Sequence, residues 1–187
     1  MKRVLAILTT LMVLLCAAAY AETADTAAAD ASIPQIVFDE TAAPYDGAWL
    51  TFDDDGFMLY LPNDWVDVDV TDEMLNAGTY YAATSADGAF AMTVSYTEEA
   101  DMVSNADLAA QLTAVGYENV TQLVINGISA VGYDIGAQDV SGMAVLDGAG
   151  GMYVFSFTPA SNETYAAVGQ TIISSLSSIP TDSDTEE

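Results

Sequence analysis

Residues 52–65 read FDDDGFMLYLPNDW, and the way this stretch pairs with the residues before it decides the fold. Asp55-Gly56 is a strong two-residue turn signal between two apolar-rich runs. It predicts a β-hairpin with arms 48–54 and 57–61, in which Asp54 faces Phe57, Phe52 faces Leu59 and Leu50 faces Leu61. One face then collects Leu50, Phe52, Phe57, Leu59 and Leu61, and the other carries Trp49, Thr51, Asp53, Met58 and Tyr60. A slip of one residue would scramble both faces, so the apolar pattern selects this parity. In this register Asp53 and Asp54 point to opposite sides, and Asp55 belongs to the turn. Only a wider loop would let the three aspartates converge on one ion.

Outward from the hairpin, residues 65–71 alternate. Val66, Val68 and Val70 point one way, and Trp65, Asp67, Asp69 and Thr71 the other, which predicts a half-buried strand with a charged outer side. Residues 79–85 and 89–97 form a second hairpin turning at Asp87-Gly88, with Phe90, Met92, Val94 and Tyr96 on one face. Residues 105–115 form a helix, with Ser104 or Asn105 as N-cap, Asp107 near its positive end, Leu108, Leu112 and Val115 as its apolar stripe, and Gly116 closing it. Strands follow at 119–125, 128–135, 140–147 and 152–158, the first two joined by Asn126-Gly127, a type I′ signal. A second helix spans about 162–178, capped by Ser161 or Asn162, with Tyr165, Val168, Ile172, Leu176 and Ile179 at helical spacing. Strands joined by tight turns are antiparallel. The expectation is an α+β fold, a single antiparallel β-sheet of about six or seven strands with two main helices packed on it.

With that order in place, residues 55–65, DGFMLYLPNDW, carry a resemblance. The chain resembles the Mog1/PsbP-like fold, an α/β/α sandwich with a central antiparallel sheet. Secreted or lipid-anchored bacterial members open with an aromatic-Gly-Phe hairpin, an apolar strand and then Pro-x-x-Trp. Phe52, Gly56, Phe57, Leu59, Pro62 and Trp65 stand in those positions here. The resemblance spans roughly residues 45–180. Related folds serve as photosystem accessory subunits, small-GTPase binding factors and envelope proteins, so it implies a non-catalytic accessory or binding domain. That implication is analogy, because a fold hosts many functions.

The ends of the chain set its expected compartment. Residues 1–21, MKRVLAILTTLMVLLCAAAYA, match a secretory signal: a basic start at Lys2 and Arg3, an apolar core over 4–18, and Ala19-Tyr20-Ala21 before a cut ahead of Glu22. A retained membrane anchor and lipid attachment through Cys16 are the alternatives, although Leu15 occupies a place where lipidation signals carry a small residue. Residues 22–44 form an Ala-rich acidic tether, 45–180 a single domain, and 181–187 an acidic tail.

Lys2 and Arg3 are the only basic residues, there is no His, and all 28 acids follow residue 21. The secreted chain then holds no cationic side chain and no cysteine. Nucleic acid is excluded as a partner, since its affinity rests on Lys and Arg contacts to phosphate. An anionic membrane surface repels such a chain, and cations gather round it. Nucleophilic dyads and triads built on His, Lys or Cys are unavailable, as are His/Cys zinc sites. The chain is therefore expected not to be an enzyme and to need no cofactor, with a carboxylate-based hydrolase the remaining catalytic alternative.

Calcium is the cofactor alternative, because it takes carboxylate oxygens. Its candidate ligands are Asp53, Asp54 and Asp55, and a second group at Asp64, Asp67, Asp69, Asp72 and Glu73. Neither has EF-hand spacing: with Gly56 sixth in such a loop, Thr51 stands first and Pro62 twelfth. Trp49, Tyr60 and Trp65 are the candidate contacts for a partner protein, peptide or glycan. The expected function is a secreted or cell-envelope, non-catalytic binding domain; the alternative is an extracellular calcium-binding or cation-stabilised module.

Overall fold

The computed structural model describes residues 33–98 and 104–180, so the expected signal segment, the tether up to residue 32 and the acidic tail lie outside the described residues. The opening hairpin forms from β2 (Gly47–Phe52) and β3 (Phe57–Pro62), but around a wider turn than expected. Phe52 pairs with Phe57, Leu50 with Leu59 and Ala48 with Leu61, which corrects the expected register by two residues. Residues 53–56 make the turn, and the Asp55 and Gly56 amides both donate to the Phe52 carbonyl, at 3.1 and 2.9 Å. Gly56 sits at φ +74°, where glycine carries no Cβ penalty. The wider turn brings the Phe52 and Phe57 rings together, stacked at 4.7 Å, where the tighter one would set Asp54 against Phe57. Because the shift is even, every side chain keeps its expected face.

The sheet is larger than expected and not purely antiparallel. Eight strands form it, in the order β1, β7, β8, β9, β10, β6, β5, β4. They are β1 (Gln35–Ile36), β4 (Val66–Asp67), β5 (Thr79–Thr84), β6 (Ala91–Thr97), β7 (Glu118–Ile125), β8 (Ile128–Ile135), β9 (Val140–Leu146) and β10 (Met152–Thr158). β1 runs parallel to β7, through Val124 N to Pro34 O and Asn126 N to Ile36 O, both 2.9 Å. The hairpin β2–β3 stands apart. With β11 (Ser177–Ser178) it forms a separate three-stranded sheet in the order β11, β3, β2.

Among the described residues three helices accompany the sheets, the two main ones expected and a short one beside them. The short α1 (Asp72–Asn76) is capped by Thr71, whose hydroxyl accepts from Met74 N, and buries only Met74. α2 (Asn105–Ala114) matches its expectation closely: Ser104 Oγ accepts from Asp107 N at 3.1 Å, Leu108 and Leu112 are buried, and Gly116 closes the helix at φ +89°. α3 (Glu163–Ser174) is capped by Asn162 and ends four residues before the expected position. The chain then leaves the helix to pair with β3 as β11, keeping Leu176 buried beneath the hairpin.

Alternation in the large sheet divides the core in two. On one face Phe90, Met92, Val94, Met143, Phe155 and Phe157 pack against Phe57, Leu59 and Leu61 of the small sheet and Ile172 of α3. On the other, Val131, Tyr133, Ile135, Val140, Ala144, Met152 and Val154 pack against Leu108 and Leu112 of α2. The large sheet is thus sandwiched between α2 and a layer made of the small sheet with α3.

Strand β4 corrects another expectation. It is two residues long, and two of the three valines expected on its buried face are exposed, Val66 at 54 % and Val68 at 41 %, while Val70 is half-buried. Alternation shows which residues share a face, but cover decides which face is buried. α2 packs on β7 and β8 and the core cluster beneath it reaches to β10, whereas β4 is three strands further along the sheet.

Candidate functional site

The outer face of the small sheet gathers four aromatic rings. Trp49 on β2 and Tyr60 on β3 are cross-strand partners, with ring centroids 5.5 Å apart. The segment leaving β1 folds across them and adds Phe38, which meets Trp49 edge-on at 5.7 Å and Tyr60 at 5.6 Å. Tyr45 completes the cluster, stacked on Tyr60 at 5.8 Å and 15°. Aromatic pairs in these arrangements contribute beyond their area burial.

Hydrogen bonds fix the cluster. The Phe38 amide donates to Asn126 Oδ1 at 2.9 Å, the Tyr45 hydroxyl to the Tyr60 carbonyl at 3.0 Å, and the Gly47 amide to the Tyr60 hydroxyl at 2.9 Å. A side chain at position 47 would be blocked, since a Cβ there lies 2.8 Å from the Tyr60 ring. Burial pushes the Tyr45 phenol well above its ordinary value, so it remains a neutral donor. Tyr60 is only 5 % exposed, whereas Trp49 presents 36 % of its surface. Trp49 Nε1 donates to Glu40 Oε2 at 3.3 Å. Glu40 opens a single 3-10 turn capped by Asp39, whose carboxylate is held below its ordinary value by the Thr41 hydroxyl and amide.

Of the three expected partner contacts, the structure therefore brings Trp49 and Tyr60 together and separates Trp65. The Trp65 ring meets Phe90 edge-on at 5.4 Å and packs on the inner core. Phe38 and Tyr45 join the cluster although Phe38 falls in the stretch read as tether. A large aromatic residue inside an Ala-rich acidic segment is the signal that could have found it.

The carboxylates do not form a metal centre among the described residues, where no three acids are placed to hold an ion. Asp64, Asp67 and Asp69 are exposed, and Asp67 Oδ1 accepts from the Tyr81 hydroxyl at 2.8 Å. In the triple aspartate, Asp53 and Asp54 face solvent while Asp55 Oδ1 accepts from the Tyr153 hydroxyl at 2.8 Å. Beside it, Tyr96 donates to Asp147 Oδ2 at 2.8 Å, and the Tyr96 and Tyr153 rings lie 4.7 Å apart.

A groove of about 390 Å³ runs between α3 and β7–β9, lined by Leu123, Met143, Phe157 and Ile173. Its one acidic lining residue, Asp134, accepts from Asn119 Nδ2 at 2.7 Å. Glycoside hydrolysis needs a pair of carboxylates flanking the bond to be cut, and this groove offers one.

These layers are those of a PsbP/Mog1-like fold. The solution structure of cyanobacterial PsbP (CyanoP) from Synechocystis sp. PCC 6803 superposes with a TM-score of 0.52 at 16 % identity, covering 74 % of this chain and 95 % of that one. A crystal structure from Bacteroides thetaiotaomicron VPI-5482 aligns with 67 % of this chain and 46 % of its own at 12 % identity, with a TM-score of 0.41. Neither a protein-family model nor a curated protein matches the chain.

Proposed function

We propose that this chain is a non-catalytic accessory domain, secreted or held in the cell envelope, that binds a partner protein through the small sheet. One observation carries the reading: an exposed tryptophan, Trp49, stands on a buried and hydrogen-bonded aromatic base, with the Glu40 carboxylate at its indole N–H. Rigid, partly exposed aromatic residues are the usual energetic anchors of protein interfaces. The composition supports the same reading, since no His, Lys, Arg or Cys follows Cys16 to build the common nucleophile–base pairs. Secretion rests on residues 1–21. The likeness to CyanoP supports the fold alone.

Photo-crosslinking tests the reading. A photoreactive phenylalanine analogue replaces Trp49 in one version of the full chain and the exposed Asp64 in another, and both are irradiated in the native host. The expected result is a discrete protein adduct from position 49 and none from position 64. No adduct from either position, or the same adducts from both, would refute it.

A further inference from the structure

Four strands form the sheet edges among the described residues: β1 and β4 in the large sheet, β11 and β2 in the small one. β1, β4 and β11 are two residues each, a length that protects an edge. β2 has six residues, GAWLTF, with no charge, no proline and no bulge against β3. A long edge without such devices is a template for another strand.

The β2–β3 ladder shows which backbone groups the edge offers. Asn63 N donates to Asp46 O at 3.0 Å, so positions 46, 48, 50 and 52 turn their amides and carbonyls toward β3. Tyr60, opposite Trp49, directs its amide the other way, to Ser175 Oγ at 2.7 Å, as the alternation requires. Trp49 and Thr51 therefore aim their N–H and C=O groups outward, while the Gly47 amide is taken by the Tyr60 hydroxyl. Among the described residues nothing pairs with the Trp49 or Thr51 amides.

The residues bracketing β2 decide what can add to it. A second copy paired antiparallel about Leu50, with Trp49 of each copy opposite Thr51 of the other, sets Asp46 opposite Asp54, and parallel pairing brings Asp46 within one position of Asp46 and Asp53 within one position of Asp53. Like charges directly opposite destabilise a sheet pair, and no described residue is cationic to relieve them. The same aspartates favour an incoming strand with Lys or Arg near its ends. Trp49 and Glu40 add an aromatic face and a carboxylate suited to one such side chain.

We propose that the open edge of β2 docks an extended, positively charged segment of a partner protein, which adds as a fourth strand to the small sheet. The proposal rests on the binding-domain reading above and specifies how that domain binds.

The probe is a short synthetic peptide of alternating Thr and Val with Lys at both ends, titrated into the full chain and followed by NMR amide exchange. The expected result is slowed exchange at Trp49 and Thr51. A peptide with Glu in place of Lys, and a Lys-ended peptide N-methylated on alternate amides, are each expected to bind about tenfold or more weakly, the loss that follows from one or two bonds. Thr51→Pro removes an outward donor. Thr51→Lys keeps that donor but places a repelling charge on the edge, and it answers the question if the proline variant does not fold. Equal binding of the N-methylated peptide, or failure of the Lys-ended peptide to slow exchange at either amide, overturns the edge proposal. Either result leaves the Trp49 crosslink intact, whereas loss of that crosslink removes the binding-domain reading itself.

Discussion

Tyrosine takes over at residue scale the part that lysine and arginine play in other proteins. No described side chain is cationic, and four aspartates instead accept from phenols: Asp55 from Tyr153, Asp67 from Tyr81 and Asp147 from Tyr96 at 2.8 Å, and Asp87 from Tyr165 at 3.2 Å. A hydrogen bond to a charged acceptor is stronger than a neutral one and asks for no second charge to be desolvated. The phenols are pushed up, Tyr96 first by its bond to Asp147, the other three first by burial, so they stay protonated and donating at neutral pH. Asp147 moves the opposite way, lowered from 3.8 first by the Tyr96 hydroxyl and then by the Gly151 amide. A carboxyl depressed on folding contributes stability above its ordinary value and loses that contribution as pH falls through the folded value. In Tyr96→Phe the Asp147 midpoint is expected to rise toward 3.8 without reaching it, since Gly151 N still donates at 2.8 Å. A carbon-detected NMR titration of the carboxylate reads this directly, and an unmoved midpoint would show that the phenol does not hold the charge.

The elements are joined by a single turn residue. Asn126 sits at φ +48°, and its side chain accepts from Phe38 N at 2.9 Å and donates to Ser174 O at 3.0 Å and Leu176 O at 2.8 Å. It ties the exit of β1 to the end of α3 and the start of β11. Asn126→Ala loses those bonds and keeps a Cβ in the left-handed region without the local side-chain bonding that lets asparagine occupy it, at an expected cost of about 2–4 kcal/mol; Asn126→Gly loses the same bonds but also the Cβ, and is expected to cost about 1 kcal/mol less. Urea unfolding measures both, and equal midpoints for the two variants would show that the backbone part is absent. This joint also explains what was legible in the sequence. The Asn126-Gly127 turn, the Ser104 cap and the faces of β2 and β3 follow from local chemistry and period, and they were legible. β1, α1 and β11 hold two to five residues each, too few for a period to show, and β1 and β11 are held by contacts such as those of Asn126. The run DDDG admits both a two-residue and a four-residue turn, so parity was legible where register was not. At the candidate site the same limit holds: Trp49 and Tyr60 share a face by alternation, while Phe38 and Tyr45 arrive only when the segment leaving β1 folds over them.

For the whole molecule, one sign of charge dominates, with a formal net charge of −26 over the full chain. Self-repulsion of that kind destabilises a compact state more than an expanded one, because folding brings the charges closer. Salt acts on it through the screening length, about 30 Å at 0.01 M and about 8 Å at 0.15 M. The first length reaches across a domain of this size, so nearly every pair of acids repels; the second confines repulsion to neighbours. Stability is therefore expected to rise by several degrees in Tm between about 0.01 and 0.15 M NaCl, then level off as the remaining pairs fall within one screening length. Calcium separates a diffuse atmosphere from a site. Because no three described acids are placed to hold an ion, the melting curve in CaCl2 is expected to follow the NaCl curve at matched ionic strength. A saturable rise in Tm at micromolar calcium would instead establish a specific site, and a Tm that is flat or falling with NaCl would show that charge repulsion does not limit the stability of this fold.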